Sequence, residues 1–304
     1  MGLVFLLALG AALFVLSATM GTAWFLTHPP RRTLAWALAK SQPADPSQLN
    51  DSRTFRDWSL TSRGLALRVW DITGDAPNGP TVILTHGWGD SRIGALARVP
   101  AAARFASRIV AWDLPGHGDS EGICTLGTRE VQDLLALIDQ LPAGEIVLWG
   151  WSLGAGVSLA AASRQQNRRV TAIICESCYQ HARTPAANVL AARELPWRIN
   201  LPIALWTLGT FFGVGPHWRG FDRREIAAQI AGQIPVLVIH GAMDIVCPLS
   251  DSQNITDAAD GELVVVATAG HNDLWSTAAH AAECGRHISA FTNRVSNAAA
   301  ARSQ

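Results

Sequence analysis

The chain has 304 residues, 16% of them charged, with 24 lysines and arginines set against 24 aspartates and glutamates. That length allows one large domain with a sizeable core, and not two full ones. A formal net charge of zero provides neither the basic surface that nucleic acid requires nor an acidic solvating tail, so no nucleic-acid partner is expected.

Residues 2–26 carry no charged side chain, and a helix of that length is long enough to cross a bilayer core of about 30 Å. A cleaved signal peptide competes, with Gly21, Thr22 and Ala23 as its small-residue cleavage site. The segment lacks a basic n-region, and its apolar run exceeds the usual h-region. The sequence therefore favours an uncleaved single-pass anchor over residues 1–27, with secretion after cleavage as the alternative. Arg31, Arg32 and Lys40 follow it, which leans toward a cytoplasmic catalytic domain. Residues 28–55, with prolines at 29, 30, 43 and 46, read as a linker.

Beyond the linker, short apolar runs alternate with amphipathic ones. Strands are expected at 56–62, 64–72, 81–87, 108–113, 145–150, 170–175, 236–240 and 263–267. Helices are expected at 91–105, 128–140, 152–164, 250–260 and 274–292, followed by a tail at 294–304. Near-continuous Val, Ile and Leu in the strands imply a mostly parallel sheet covered on both faces. Residues 179–233 break the alternation and include the apolar stretch 201–213. They read as a helical lid inserted above the carboxyl ends of the strands.

Cysteines at 124, 175, 178, 247 and 284 show no staple-like spacing. Cys175 and Cys178 form a C-x-x-C with no second pair nearby, which reads as strand-end cysteines. Twelve tryptophans against one tyrosine have no explanation at this level.

Gly150-Trp151-Ser152-Leu153-Gly154 joins the strand at 145–150 to the helix at 152–164. A serine on so sharp a turn has a strained backbone, and a Cβ two residues before or after it would collide with the adjoining strand or helix. The turn lifts the hydroxyl clear of the sheet. It also puts the next N–H at a helix N-terminus, where an anion is favoured.

Four further segments accompany it: His86-Gly87, DLPGHGDS at 113–120, HGAMD at 240–244 and GHND at 270–273. In this order the set resembles the α/β-hydrolase superfamily over about residues 56–293, especially bacterial serine esterases and lysophospholipase-like members. The resemblance implies an α/β-hydrolase fold and the chain order nucleophile, acid, histidine. Ser152 would be the nucleophile, His271 its base and Asp244 the acid that orients the imidazole. Glu176 competes with Asp244, since some relatives place the acid at the end of that preceding strand. The oxyanion donors would be the backbone N–H groups of Leu153 and, from the loop at 86–89, Trp88. His86 and His117 lack metal-ligand spacing and are expected to bond loop backbone. Asp113 and Asp119 are expected to shape their glycine-rich turn.

The expected activity is hydrolysis of a small-molecule carboxylic ester through an acyl-enzyme, with an apolar acyl group suggested by the lid and with no metal or cofactor. Thioesterase or acyltransferase action would use the same groups, and amide or C–C cleavage also fits the fold. A non-catalytic interaction protein of this fold would be expected to lack a triad member. A dehalogenase would carry a carboxylate where Ser152 stands.

Overall fold

The computed structural model describes residues 1–302. Its strands are β1 (Phe55–Ser62), β2 (Leu65–Thr73), β3 (Thr81–Thr85), β4 (Arg108–Trp112), β5 (Ile146–Trp151), β6 (Val170–Glu176), β7 (Val236–Gly241) and β8 (Glu262–Val266). They form one sheet in the order β1-β2-β4-β3-β5-β6-β7-β8. Only β1 with β2 and β2 with β4 pair antiparallel, and all the other neighbours are parallel. All eight expected strands are found.

The α-helices are α1 (Gly2–Thr27), α2 (Leu34–Ala39), α3 (Val99–Ala103), α4 (Glu130–Gln140), α5 (Leu153–Arg164), α6 (Arg183–Ala192), α7 (Asn200–Phe212), α8 (Arg223–Ala228), α9 (Leu249–Ala259) and α10 (Ala278–Arg302). Successive strand residues point to opposite faces, so each buried strand feeds two cores. Ile83, Val110, Leu148, Ile173 and Val238 pack on one face with residues of α4, α5, α8 and α9. Val82, Leu84, Ile109, Val147 and Leu237 pack on the other with residues of α3 and α10. This two-faced burial is what near-continuous apolar strands require.

Several elements differ from the sequence expectation. The helix expected at 91–105 is a 3₁₀ turn, Gly94–Arg98, followed by the short α3. Pro100 lacks an N–H and cannot continue an α-helix begun before it. The linker at 28–55 is packed: Ala37 and Ala44 are buried in the core beside β2, and Arg31 donates to the carbonyl oxygens of Gly118 and Ser120. The expected tail is helical to Arg302, as its alanine run favours, and residues 303 and 304 lie outside the described residues. Within the insertion, α8 packs against α5 and α9 as part of the body, leaving α6 and α7 as the outlying pair.

Seven of the twelve tryptophans serve as long hydrogen-bonding spacers. Indole N–H groups of Trp70, Trp88, Trp112, Trp149, Trp151, Trp218 and Trp275 each reach an acceptor elsewhere in the fold.

A buried carboxylate ties α4 to the turn between β1 and β2. Asp133, with a fully buried side chain, accepts from Ser62 Oγ at 2.6 Å and from Arg63 Nε and Nη2 at 2.9 and 2.6 Å. Removing it strands these donors, so Asp133→Ala is expected to cost about 3 kcal/mol, read as a lower urea midpoint at unchanged slope.

Candidate active site

The sharp turn after β5 holds Ser152 at φ 51° and ψ −114°, a backbone region that L-residues occupy only under constraint. Its N–H donates to the Glu176 carbonyl at 2.8 Å, which pins it to the end of β6, while its own carbonyl accepts from Ala155 to open α5. A Cβ on Gly154 would overlap the Thr85 carbonyl of β3, and one on Gly150 would overlap the Gly154 backbone. Glycine is the only residue that lets the strand and helix meet here.

His271 follows β8 on a loop and turns its imidazole toward Ser152. Its Nδ1–H donates to Asp244 Oδ2 at 2.7 Å, and its Nε2 lies 3.1 Å from Ser152 Oγ, placed to accept the hydroxyl proton. Asp244 follows β7 and has one oxygen free for this task. Its Oδ1 is taken by the N–H groups of Val246 and Cys247, each at 2.8 Å. Burial works against the Asp244 charge, but the His271 hydrogen bond and attraction and the two backbone donors outweigh it. They hold the carboxyl below its ordinary pKa.

Glu176 is turned elsewhere. It accepts from Arg98 Nη2 at 2.5 Å, Trp149 Nε1 at 2.7 Å and Trp275 Nε1 at 2.9 Å. The Arg98 guanidinium lies 3.7 Å from the centroid of the Trp151 ring, next to the turn. Sequence reasoning missed this network, whose only trace in the chain is the tryptophan surplus.

Leu153 opens α5, so its N–H has no acceptor within the helix. The loop after β3 approaches closely: a Cβ on Gly87 would stand 3.2 Å from Ser152 Cβ. Among the described residues no protein group accepts from the Trp88 backbone N–H. The Trp88 indole points away and donates to the Leu26 carbonyl of α1 at 2.9 Å. A cavity of about 240 Å³ lies before the serine, lined by Ser152, His271, Trp88, residues of α6, and Phe25 and Leu26 of α1. Nothing in the sequence ties residue 26 to residue 152.

The donor atoms of Asp244, Cys247 and His271 lie within 4.8 Å of one another, a spacing a metal could use. The imidazole and carboxylate are already bonded to each other, and burial raises the Cys247 thiol well above its ordinary pKa, which disfavours the thiolate a metal needs. His86 and His117 bond backbone, as expected: His86 donates from Nδ1 to Gly87 O and accepts from Leu114 N–H, and His117 donates to Pro115 O. Arg92 bridges Asp113 and Asp119 across their turn, at 2.6 and 3.0 Å. All five cysteines are free and buried.

A model of the alpha/beta hydrolase family matches residues 82–289. The chain belongs to this family. It is 40% identical over 207 residues to a pimeloyl-[acyl-carrier protein] methyl ester esterase of Chromobacterium violaceum, covering 56% of this chain and 78% of that protein. It is 29% identical over 236 residues to the dihydrolipoyllysine-residue acetyltransferase component of an acetoin cleaving system of Pseudomonas putida. That match covers 68% of this chain and 62% of the relative, so the chain spans less than two thirds of that protein's length. An esterase of Pyrococcus furiosus shares the hydrolase fold at a TM-score of 0.67 and 20% identity, over 88% of this chain and 98% of its own.

Three buried histidines give the hydrolase domain a pH-dependent stability. Burial lowers His86 to about 3, His117 well below its ordinary value, and His240 also below it. As pH falls through about 6.5 the unfolded chain takes up protons that these folded imidazoles refuse, so stability declines, for His86 down to its folded value. The melting temperature in detergent is expected to fall from about pH 7 to about pH 5, the fall being offset in part near pH 6, where burial has raised Asp113 to about 6 and the folded state takes up that proton first. A flat profile would contradict neutral histidines at these sites.

Proposed function

We propose that this family member is a serine hydrolase that cleaves carboxylic esters through an acyl-enzyme. The relay from Asp244 through His271 to Ser152 carries the reading. Ser152 Oγ attacks the ester carbonyl while His271 Nε2 takes its proton, and Asp244 holds the Nδ1–H tautomer and stabilises the imidazolium. The oxyanion formed faces the N–H groups of Leu153 and Trp88. Collapse breaks the bond to the alcohol, which leaves with the proton from His271. Water, deprotonated by the same imidazole, then releases the acid and restores Ser152. No step calls for a metal or organic cofactor.

The catalytic unit in this reading is residues 56–293, lidded by the insertion at 179–233 and carried on an uncleaved anchor at 1–27. Retention of α1 is favoured by its far end. Leu26 and Thr27 are buried, Thr27 O accepts from Cys124 N–H, and Asn200 of α7 donates to Thr22. Cleavage after Ala23 would strip the partner from Asn200. The basic residues behind α1 favour a cytoplasmic site.

A second reading, thioester hydrolysis or acyl transfer to an acceptor other than water, uses the same relay. The acetyltransferase name among the relatives favours keeping it, and the methyl ester esterase name favours hydrolysis.

A fluorophosphonate is expected to label the folded protein on the peptide bearing Ser152, and Ser152→Ala to lose both label and ester turnover. Absence of a Ser152 adduct would sink the reading. Asp244→Asn is expected to lower kcat by about two to four orders of magnitude with little change in melting temperature. Glu176→Gln should do the reverse, lowering the melting temperature while turnover stays within about tenfold. If only the Glu176 variant abolishes turnover, the acid has been misassigned.

A further inference from the structure

The first half of α1 stands free of the body. Residues 2–14 are all exposed, whereas Ala18, Thr19, Thr22 and Leu26 turn toward the protein and α1 packs along α7. Those thirteen free residues extend about 20 Å, which is about 10 Å short of a bilayer's hydrocarbon core. If α1 crosses a membrane, part of the body must enter with it.

The neighbouring surface suits that demand. The corner between α6 and α7, residues Leu195 to Ile199, shares a groove with Phe14, Val15 and Ala18 of α1. Helix α7 has no charged residue, and its outward side shows Ile203, Trp206 and Phe211, the last two 54% and 65% exposed. Its two outward threonines hide their hydroxyls: Thr207 donates to Ile203 O and Thr210 to Trp206 O. From Ile203 to Thr210 the face therefore presents methyls and rings to its surroundings, as a lipid-facing helix does, while at the far end the Arg129 guanidinium lies over the Phe211 ring and donates to the Phe211 carbonyl. Arg193 and Arg198 flank Glu194 at the corner, on side chains long enough to return their charges to headgroup level.

The same corner leads to the serine. Ala182, Pro185, Val189 and Arg193, running from just before α6 to just after it, line the cavity that holds Ser152, opposite Phe25 and Leu26 of α1. Arg193 sits 4.9 Å over the Phe25 ring, at the end of α1 that joins the body. We propose that the α6–α7 corner and the outer face of α7 lie in the bilayer beside α1, and that the cavity takes a long-chain acyl ester of a membrane lipid directly from that leaflet. This rests on the hydrolase reading above. The acyl chain passes between α6 and the end of α1, with the ester at Ser152 and the polar headgroup toward water.

The test uses the full chain in phosphatidylcholine vesicles. With bromine on the lipid acyl chains, the emission lost in Trp206→Phe relative to wild type, which is that of Trp206, is expected to be quenched about twofold or more. Ile203→Glu, outside the cavity, is expected to cut hydrolysis of methylumbelliferyl oleate in the vesicles about tenfold while leaving soluble methylumbelliferyl acetate unchanged. Unquenched Trp206, or equal oleate turnover by Ile203→Glu and wild type, would overturn the proposal, as would burial of this face between two copies of the chain. Acetate turnover without oleate turnover defeats the lipid substrate alone. Loss of both, with no fluorophosphonate adduct, defeats the hydrolase reading itself.

Discussion

Everything at the site depends on one unfavourable backbone conformation being held in place. Ser152 sits at positive φ because β5 ends where α5 must begin, and the chain has a single residue in which to turn. The strain is of order 1–3 kcal/mol, and packing that over-determines the turn sustains it. Glycines at 150 and 154 let the helix start against the Thr85 carbonyl, and the Glu176 carbonyl fixes the serine N–H. The proposed nucleophile thus stands at the end of a central strand that is paired on both sides, to β3 and to β6.

The groups around it come from distant loops and are fixed by separate devices. Asp244 is aimed by two backbone donors, and burial of nearby His240 in its neutral form keeps a competing charge away. Glu176, one strand over, serves the scaffold: it neutralises Arg98, which in turn packs on Trp151 beside the serine. Two carboxylates at neighbouring strand ends so acquire different partners from their surroundings alone.

The least expected partner of the site is α1. Its last carbonyls are the orphan acceptors any helix leaves, and Trp88 and Cys124 satisfy them. The loop bearing the proposed oxyanion donor is therefore held by the end of the apolar helix. The segment proposed to anchor the protein also lines the cavity in which it would react.

The sequence by itself determined what local pattern can encode. Short, near-continuous apolar runs between turn signals marked eight strands, and the glycine-framed Ser152 marked the turn, because sterics there act between near neighbours. The order of Ser152, Asp244 and His271 carried the family. Local pattern was less informative where a local signal had a non-local rival: Pro100 broke a helix that periodicity favoured, and proline-rich 28–55 carries α2 and buries Ala37 and Ala44 in the core. Only the tertiary structure decided that His271 faces Asp244 while Glu176 faces Arg98, and that Phe25 and Leu26 line the same cavity as Ser152. Those relations join residues far apart in the chain, and their energies arise from burial and geometry that no stretch of sequence contains.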